Sequence, residues 1–138
     1  TNLDKLEIGS KINLESALKL DQALDGHLLQ GHIDETGAVK RIKGNELTIS
    51  FSPKISPFLA FKGSISINGV SLTISELQEE TFSISLIPHT LKETNLGKLR
   101  QGDIVNIEVD TIARYIKRLL DCKEKEVKYE YLKERGFI

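Results

Sequence analysis

The sequence has little sulfur and few residues that interrupt secondary structure. Its 138 residues include one cysteine, Cys122, and three prolines, with no methionine and no tryptophan. A single cysteine excludes an internal disulfide, and with only three histidines it leaves too few ligands for a tetrahedral metal site. This cysteine usage favours the cytoplasm, where thiols stay reduced. We therefore expect a cytoplasmic protein without a structural metal.

A strong charge of either sign is also missing. Nineteen basic and 20 acidic side chains give a net charge of −1. A nucleic-acid partner or an anionic membrane surface is therefore not expected. No apolar run approaches the roughly 18 residues that a membrane-spanning helix needs. The apolar fraction of 39% is ordinary, and the length suits one globular domain.

The opening of the sequence is repeated near its end. TNLDKLEIGSKINLE (1–15) aligns without gaps with TNLGKLRQGDIVNIE (94–108), and eight of the fifteen positions are identical. Such self-similarity indicates a duplicated structural unit. The chain holds one full period and the end of a previous one, so the repeat predicts a piece of a longer protein with two repeats.

Apolar and polar residues alternate with the period of a β-strand as far as residue 110. Predicted strands lie within 11–15, 37–51, 63–67, 70–77, 81–87 and 103–110. The 37–51 stretch reads as two strands around a turn in which Gly44 and Asn45 supply positive φ angles, and Asn68-Gly69 is a strong hairpin signal. About six short strands with such turns predict a small antiparallel barrel or sandwich.

An apolar stripe with helical spacing follows Asp110. Its members are Ile112, Ile116, Leu119 and Leu120. Thr111 or Asp110 can cap this helix. The stripe either docks back on the barrel or meets copies of itself in an oligomer, and the sequence leaves both open.

Two hydroxyl side chains alternate within the strand predicted at 70–77. Ser71 and Thr73 point to one face of a strand, whereas Val70, Leu72 and Ile74 point to the other. If the aliphatic face fills a barrel, the hydroxyls face outward, where they could hold a flat polar ligand by donating and accepting hydrogen bonds. The pattern alone favours the other interpretation, an ordinary exposed polar face.

Several other polar residues have an ordinary interpretation beside a functional one. Thr90, in IPHTLKETNLG (87–97), either contacts a ligand or caps a turn, and capping is favoured. Lys62 reads as a solvated lysine and His89 as an exposed loop residue. Asp110 ends a strand and begins a helix, so its ordinary role is the N-cap.

The stretch DGHLLQGHIDETG (25–37) contains two histidines and three glycines. His27 and His32 are five residues apart, a spacing that does not form a natural metal pair on a strand or on a helix. Gly26 and Gly31 indicate a bend where the backbone could approach a ligand closely. The sequence has no GxxxxGK[ST] and no GxGxxG loop. These residues by themselves give no reaction.

Five stretches taken together resemble the riboflavin synthase, or lumazine-binding, family. They are NLESAL, DGHLLQGHIDETG, INGVSLTI, LIPHTLKETNLG and GDIVNIEVDTIARYIKRLL, and the likeness covers residues 1–120. That family has two homologous barrels in tandem, and this chain resembles the second. The resemblance implies a tail strand and linker of a preceding barrel at 1–17, and an all-β, six-stranded antiparallel Greek-key closed barrel at 18–110. It also implies a C-terminal helix with a charged tail at 111–138, which gathers three subunits into a trimer.

The resemblance also implies a reaction in riboflavin biosynthesis. Two molecules of 6,7-dimethyl-8-ribityllumazine dismutate to riboflavin and 5-amino-6-(ribitylamino)uracil, without a metal or an organic cofactor. The two substrates lie face to face, one in each type of barrel, so the homologous N-terminal barrel is an implied partner. A single barrel is then expected to bind lumazine or riboflavin with little or no turnover.

Matching positions imply roles for seven side chains. Ser71 and Thr73 contact the pteridine edge, Ile87 lies under the ring, and His32 is the candidate catalytic residue reaching toward the shared site. The residues around the ribityl chain are Lys62, Thr90 and Asp110. Two alternatives fit the same pattern: a non-catalytic lumazine or flavin carrier of the antenna type, and a barrel that only mediates assembly.

Overall fold

The computed structural model describes residues 1–19, 21–24 and 26–136, with the backbone alone for residues 123–131. Part of the predicted charged tail therefore lies outside the described residues. Within them there are six strands: β1 (Glu35–Lys43), β2 (Glu46–Ser50), β3 (Ser64–Ile67), β4 (Val70–Leu77), β5 (Thr81–Ser85) and β6 (Ile104–Val109). The helices are α1 (Pro88–Glu93) and α2 (Thr111–Glu134), and short 3-10 turns cover Leu3–Lys5, Ser56–Phe58 and Asn95–Lys98.

The strands close into an antiparallel barrel in the order β1-β2-β5-β4-β3-β6, with β6 pairing back to β1. Hairpins join β3, β4 and β5 in sequence, and β2 lies beside β5, which is a Greek-key arrangement. Closure pairs the strand edges that would otherwise be open to aggregation. The predicted fold class, a closed Greek-key barrel followed by a helix, is confirmed.

The barrel interior is filled by the apolar halves of the alternating strands. On β6 the inward residues are Val105, Ile107 and Val109, each no more than 1% exposed. Phe51 and Phe82 stack within the same core, with ring centroids 5.9 Å apart. Burial of each such side chain contributes about 1.5–3 kcal/mol. The polar halves of the same strands must then face outward.

Two tight turns set the register of the hairpins. Asn68 (φ 49°) and Gly69 (φ 78°) are both left-handed, as a type I′ turn between β3 and β4 requires. At the β1–β2 turn only Gly44 (φ 62°) is left-handed, so the predicted positive φ of Asn45 is wrong. A turn with positive φ at its first central residue alone is type II′, and the Asn45 side-chain amide instead donates to the Leu86 carbonyl at 3.0 Å.

The strand predicted at 11–15 is not formed. Among the described residues this segment makes no ladder with another strand. Its apolar side chains Ile12 and Leu14 are 52% and 87% exposed, whereas Val105 and Ile107, their counterparts in the repeat, are fully buried. A strand needs a partner, and alternation in sequence does not supply one.

The two repeated segments nevertheless have the same local backbone. Each begins with a 3-10 turn, and Gly9 and Gly102 both have φ near 95°. The Glu7 N–H donates to Ser10 Oγ at 2.9 Å, and the matching Arg100 N–H donates to Asp103 Oδ2 at 2.7 Å. The sequence repeat therefore encodes a repeated conformation, even though one copy lacks a barrel behind it among the described residues.

Four asparagines join the repeated segments reciprocally. The Asn2 N–H donates to Asn106 Oδ1 at 2.8 Å, and the matching Asn95 N–H donates to Asn13 Oδ1, also at 2.8 Å. The Asn2 amide also donates to the Ile104 carbonyl at 2.9 Å, and the Asn95 amide donates to the matching Lys11 carbonyl at 3.2 Å. This exchange of equivalent bonds relates the two segments by a local two-fold axis. We call the four side chains the asparagine clasp.

Helix α2 begins where β6 ends. Asp110 Oδ1 accepts the Ile112 N–H at 2.9 Å, so Asp110 rather than Thr111 caps the helix. Arg114 pairs with Asp34 at 2.6 Å and fixes the first turn of the helix to the barrel. The predicted stripe does not dock on the barrel: its four residues are 53–65% exposed. In the part of the chain described, no helix combines the length and the apolarity needed to cross a bilayer.

The repeat provides a matched pair of truncations. Ile107→Ala removes a fully buried side chain and is expected to lower the free energy of unfolding by about 2–5 kcal/mol. Leu14→Ala changes the equivalent but 87% exposed position and is expected to shift it by no more than about 0.5 kcal/mol. Urea unfolding of both variants measures the difference. Equal losses would show that Leu14 is buried in solution.

Candidate functional site

Strand pairing places polar side chains in rows across the outer face of β4, β3 and β6. Ser66 pairs with Ser71 on β4 and with Glu108 on β6, which makes one row of three residues. In the adjacent row Ser64 pairs with Thr73. The pairing of Ile65 with Val109 brings Asp110, one residue further along the chain, level with Ser64. We call these six side chains the polar rows.

A segment of irregular backbone crosses the first row. We call residues 26–31 the strap. Glu108, only 3% exposed, accepts the Gln30 N–H at 2.9 Å and the Gly31 N–H at 3.1 Å. At the other end, the Ser71 hydroxyl lies against the strap at Gly26 and His27. A buried carboxylate needs such partners, because an unpaired one costs several kcal/mol.

His27 makes two contacts with the Ser71 oxygen. Its backbone N–H donates to Ser71 Oγ at 3.2 Å, and its ring Nδ1 lies 2.7 Å from the same oxygen. The ring Nε2 is buried without a hydrogen-bond partner in the described chain. Burial lowers the pKa of His27 below its ordinary value of 6.5, and the Asp110 and Glu108 carboxylates oppose that shift. Near neutral pH the ring is therefore uncharged.

Four of the residues predicted from the resemblance share this side of the barrel. Ser71, Thr73 and Asp110 belong to the polar rows. The Lys62 N–H donates to the Ile74 carbonyl at 3.0 Å, so Lys62 lies at the next level along β4. Its side chain is exposed, as expected, with Nζ 5.2 Å from the centre of the Phe61 ring.

Ile87 and Thr90 lie where the chain leaves β5. Ile84 pairs with Ile74, and the antiparallel direction carries Ile87 toward the level of Ser71. Ile87 is 62% exposed and precedes α1, a helix at positions where the sequence predicted a turn and an exposed loop residue. Pro88 at its first position is the sequence signal for this helix.

Thr90 and His32 complete the predicted set, and His89 lies outside it. The capping role predicted for Thr90 is wrong, because Thr90 lies inside α1, whose N-cap is Ile87 without a side-chain hydrogen bond. Thr94 is the capping threonine here: its Oγ1 accepts the Leu96 N–H at 3.2 Å at the start of the following 3-10 turn. The Thr90 carbonyl accepts the Thr94 hydroxyl at 2.7 Å. His89 is exposed, as predicted. His32 is also exposed, one residue beyond the strap, and is not brought against Ser71.

Two surface recesses lie away from the polar rows. One, of about 310 Å³, is lined by Arg41, Thr48, Glu76, Gln78, Thr81 and Ser83. The other, of about 530 Å³, lies between the repeated segments, where Asn2, Lys5 and Leu6 face their counterparts Asn95, Lys98 and Leu99. Neither contains Ser71, Thr73 or Asp110, and the His27 ring covers the Ser71 hydroxyl. Thr73 stays exposed.

The sequence interpretation missed His27, Ser64, Ser66 and Glu108 as members of this face. Ser64 and Ser66 alternate in β3 as Ser71 and Thr73 do in β4. A two-residue Asn-Gly turn fixes their pairing, so this signal was available. The contact between His27 and Ser71 had no such signal, since it joins positions 44 residues apart without a shared ladder.

These features define a class: a closed antiparallel barrel with rows of hydroxyl and carboxylate side chains on the outer side of β4, β3 and β6. The lumazine-binding domain profile matches residues 30–110, more than half of the chain. The riboflavin synthase of Actinobacillus pleuropneumoniae is 39% identical over 146 aligned residues, which cover 99% of this chain and 68% of that protein. The chain belongs to the lumazine-binding domain family.

Further relatives and solved structures agree with this membership. The riboflavin synthase of Bacillus subtilis (strain 168) is 39% identical over 99% of this chain and 68% of its own length. That of Photobacterium phosphoreum is 32% identical over 100% of this chain and 67% of its own length. The chain thus spans about two thirds of these relatives.

The crystal structures of LumP show the same fold. The complex with 6,7-dimethyl-8-(1'-D-ribityl) lumazine has a TM-score of 0.66 at 29% identity, and the complex with riboflavin has a TM-score of 0.69 at 28% identity. Each match covers 79% of this chain and 61% of LumP.

His27 is expected to make stability depend on pH. Its pKa is lowered by folding, so as the pH falls below about 6.5 the unfolded chain takes up a proton that the folded chain resists. The free energy of unfolding should therefore decrease with falling pH until the pH reaches the lowered pKa. Urea unfolding between neutral and mildly acidic pH measures the slope. His27→Asn should flatten it and His89→Asn should leave it unchanged; parallel profiles for all three chains would contradict the assignment.

Proposed function

We propose that this chain binds 6,7-dimethyl-8-ribityllumazine as one barrel of a riboflavin synthase and so acts in riboflavin biosynthesis. The observation that carries the proposal is the convergence of Ser71, Thr73 and Asp110 in the polar rows of a family barrel. The LumP complexes support the ligand class, because a protein of this fold holds both lumazine and riboflavin. The reaction is the dismutation that the sequence resemblance implies.

The polar rows suit a heterocycle that carries a polyol. The Ser71 and Thr73 hydroxyls would form hydrogen bonds with the pteridine edge. The exposed side chain of Ile87 would lie under the ring. Lys62, Thr90 and Asp110 would contact the ribityl hydroxyls.

The chemistry requires little of the protein beyond positioning. Holding two reactants in the correct geometry supplies roughly 7–11 kcal/mol of barrier reduction. One lumazine in this barrel and one in a homologous barrel would meet face to face, with His32 reaching toward the shared site. On this proposal a single barrel binds its ligand but turns it over slowly or not at all.

We propose in addition that residues 1–17 are the tail and linker of such a homologous barrel. The support is the conformation they share with residues 94–108 and the exposed Ile12 and Leu14 at positions where β6 buries Val105 and Ile107. A further barrel would supply the ladder partners and the core that these residues lack. The barrel proper would then lie within 18–110 and the terminal helix with its charged tail within 111–138.

The second candidate function is a non-catalytic lumazine or flavin carrier. The specific observation in its favour is the structural similarity to LumP in its ligand complexes. The curated relatives named riboflavin synthase, at up to 39% identity in the comparisons above, favour the enzyme. Turnover by the chain together with its homologous barrel separates the two functions.

We also propose that α2 assembles copies of the chain, as a trimer, in the cytoplasm. Its exposed apolar stripe is continued by Tyr115, which is 70% exposed. Sequestering such a face in water requires an apolar partner, and a matching helix of another copy provides one.

The hydroxyl pair of Ser71 and Thr73 can be tested by truncation. Ser71→Ala/Thr73→Ala should weaken the binding of 6,7-dimethyl-8-ribityllumazine by about 1–3 kcal/mol, since each hydrogen bond contributes about 0.5–1.5 kcal/mol. Ligand fluorescence titration measures the affinity.

A matched control uses the recess of about 310 Å³, which does not contain Ser71 or Thr73. Thr48→Ala/Thr81→Ala removes two hydroxyls there and should leave the affinity unchanged. Loss of binding in this variant alone would move the site to that recess. Rapid riboflavin formation by the 138-residue chain alone would contradict the need for a second barrel.

The helix stripe gives a separate prediction about assembly. Ile116→Asp/Leu119→Asp should convert the oligomer to monomers, because each charge would be buried in an apolar contact. Arg118→Asp changes the exposed opposite side of the helix and should leave the mass unchanged. Sedimentation velocity measures both, and a wild-type chain that sediments as a monomer would overturn the assembly proposal.

A further inference from the structure

We propose that His27 is a positioning residue that fixes the Ser71 hydroxyl as a hydrogen-bond acceptor toward the ligand. This inference rests on the proposed function, since it concerns the same outer face. His27 lies outside the set of side chains implied by the resemblance, and its contact decides which kind of ligand atom Ser71 can meet.

The starting point is the hydrogen-bond capacity of a hydroxyl group, which has one hydrogen and two lone pairs. One lone pair of Ser71 Oγ is taken by the His27 N–H at 3.2 Å. The contact with Nδ1 can then have either of two directions. If Nδ1 carries a hydrogen, Ser71 accepts twice from His27 and its own hydrogen is free for a ligand; if Nδ1 is bare, the Ser71 hydrogen is used within the protein.

The distance favours the second direction, which places the ring hydrogen on Nε2, a nitrogen without a hydrogen-bond partner among the described residues. The 2.7 Å between Nδ1 and Oγ suits a hydroxyl donor, whereas ring N–H donors usually lie about 2.9–3.0 Å from their acceptor. A hydroxyl that already accepts a hydrogen bond is also a better donor, so the two contacts of Ser71 strengthen each other. One lone pair then remains for the ligand, and it selects an N–H or O–H group rather than a carbonyl.

The strap holds the ring in place independently of any ligand. The Gln30 and Gly31 N–H groups are bound to Glu108 on β6, and Gly26 packs on Ser71 so closely that a Cβ there would lie 2.7 Å from the Ser71 Cβ. The charged groups that act on the ring are Asp110 and Glu108, both at the β6 end of the polar rows. The contacts of the strap with β4 and β6 thus hold His27 in place, as a positioning role requires.

The first test is the protonation state of the ring nitrogens in the whole chain. Nitrogen-15 NMR of histidine-labelled protein at neutral pH should show His27 with a bare Nδ1 and a hydrogen on Nε2. Ser71→Ala should remove this preference by deleting the donor. A hydrogen on Nδ1 in the wild-type chain would overturn the proposal. This measurement needs no ligand, so it decides the His27 assignment whether or not the chain binds lumazine or riboflavin. Absence of binding to both ligands would overturn the proposed function instead.

The second test is a double-mutant cycle on lumazine affinity. His27→Ala should weaken binding about 3- to 10-fold in the wild-type background, where it frees the Ser71 hydroxyl to rotate, and less than about 2-fold in the Ser71→Ala background. His27→Asn, whose amide oxygen can accept in place of Nδ1, should restore most of the affinity. Equal losses in both backgrounds would show that His27 only supports the strap, and would overturn the proposal. His89→Ala is the matched control on an exposed histidine, and His27→Asn keeps the cycle decisive if His27→Ala fails to fold.

Discussion

The register between β3 and β4 is the constraint on which the candidate site depends. Asn68 and Gly69 adopt the two left-handed conformations of a type I′ turn, and this turn pairs Ser66 with Ser71. A slip by one residue would move Ile65 and Ile67 outward, each at a cost of about 1.5–3 kcal/mol, and would turn the serines into the apolar interior of the barrel. The serine side chains therefore point outward because the isoleucines must point inward. The packing of the core thus sets the position of the polar rows.

The polar rows include a buried carboxylate from β6, and this group requires hydrogen-bond donors. Glu108 is almost fully buried, and its two oxygens are satisfied by the N–H groups of Gln30 and Gly31. Its counterpart in the repeat, Glu15, is exposed. The same residue type thus has opposite surroundings in the two copies. On β6 the carboxylate holds the strap, and the strap in turn brings His27 to Ser71.

The alternation of apolar and polar residues predicts much of this fold and part of the candidate site. Side chains on a strand alternate strictly, so β4 was located to the residue and Ser71 was assigned outward with Thr73. The same alternation at 11–15 predicted a strand that is absent, because pairing depends on a neighbour and not on the segment itself. The placement of His27 escaped prediction for a related reason: irregular backbone has no period to extrapolate, and its contact is fixed by Glu108, 81 positions later in the chain.

The asparagine clasp shows how a repeated segment can be ordered before its apolar side chains are covered. Its bonds join positions 82 and 104 residues apart, and each contributes about 0.5–1.5 kcal/mol. Amide bonds of this kind are directional, so they set an orientation, whereas apolar contact alone tolerates sliding. Asn13 also donates to the Asn68 carbonyl at 2.9 Å, in the same turn that sets the register of β3 and β4. The clasp is therefore tied to the element that places Ser71, and a barrel built on residues 11–15 would take its orientation to the polar rows from that turn.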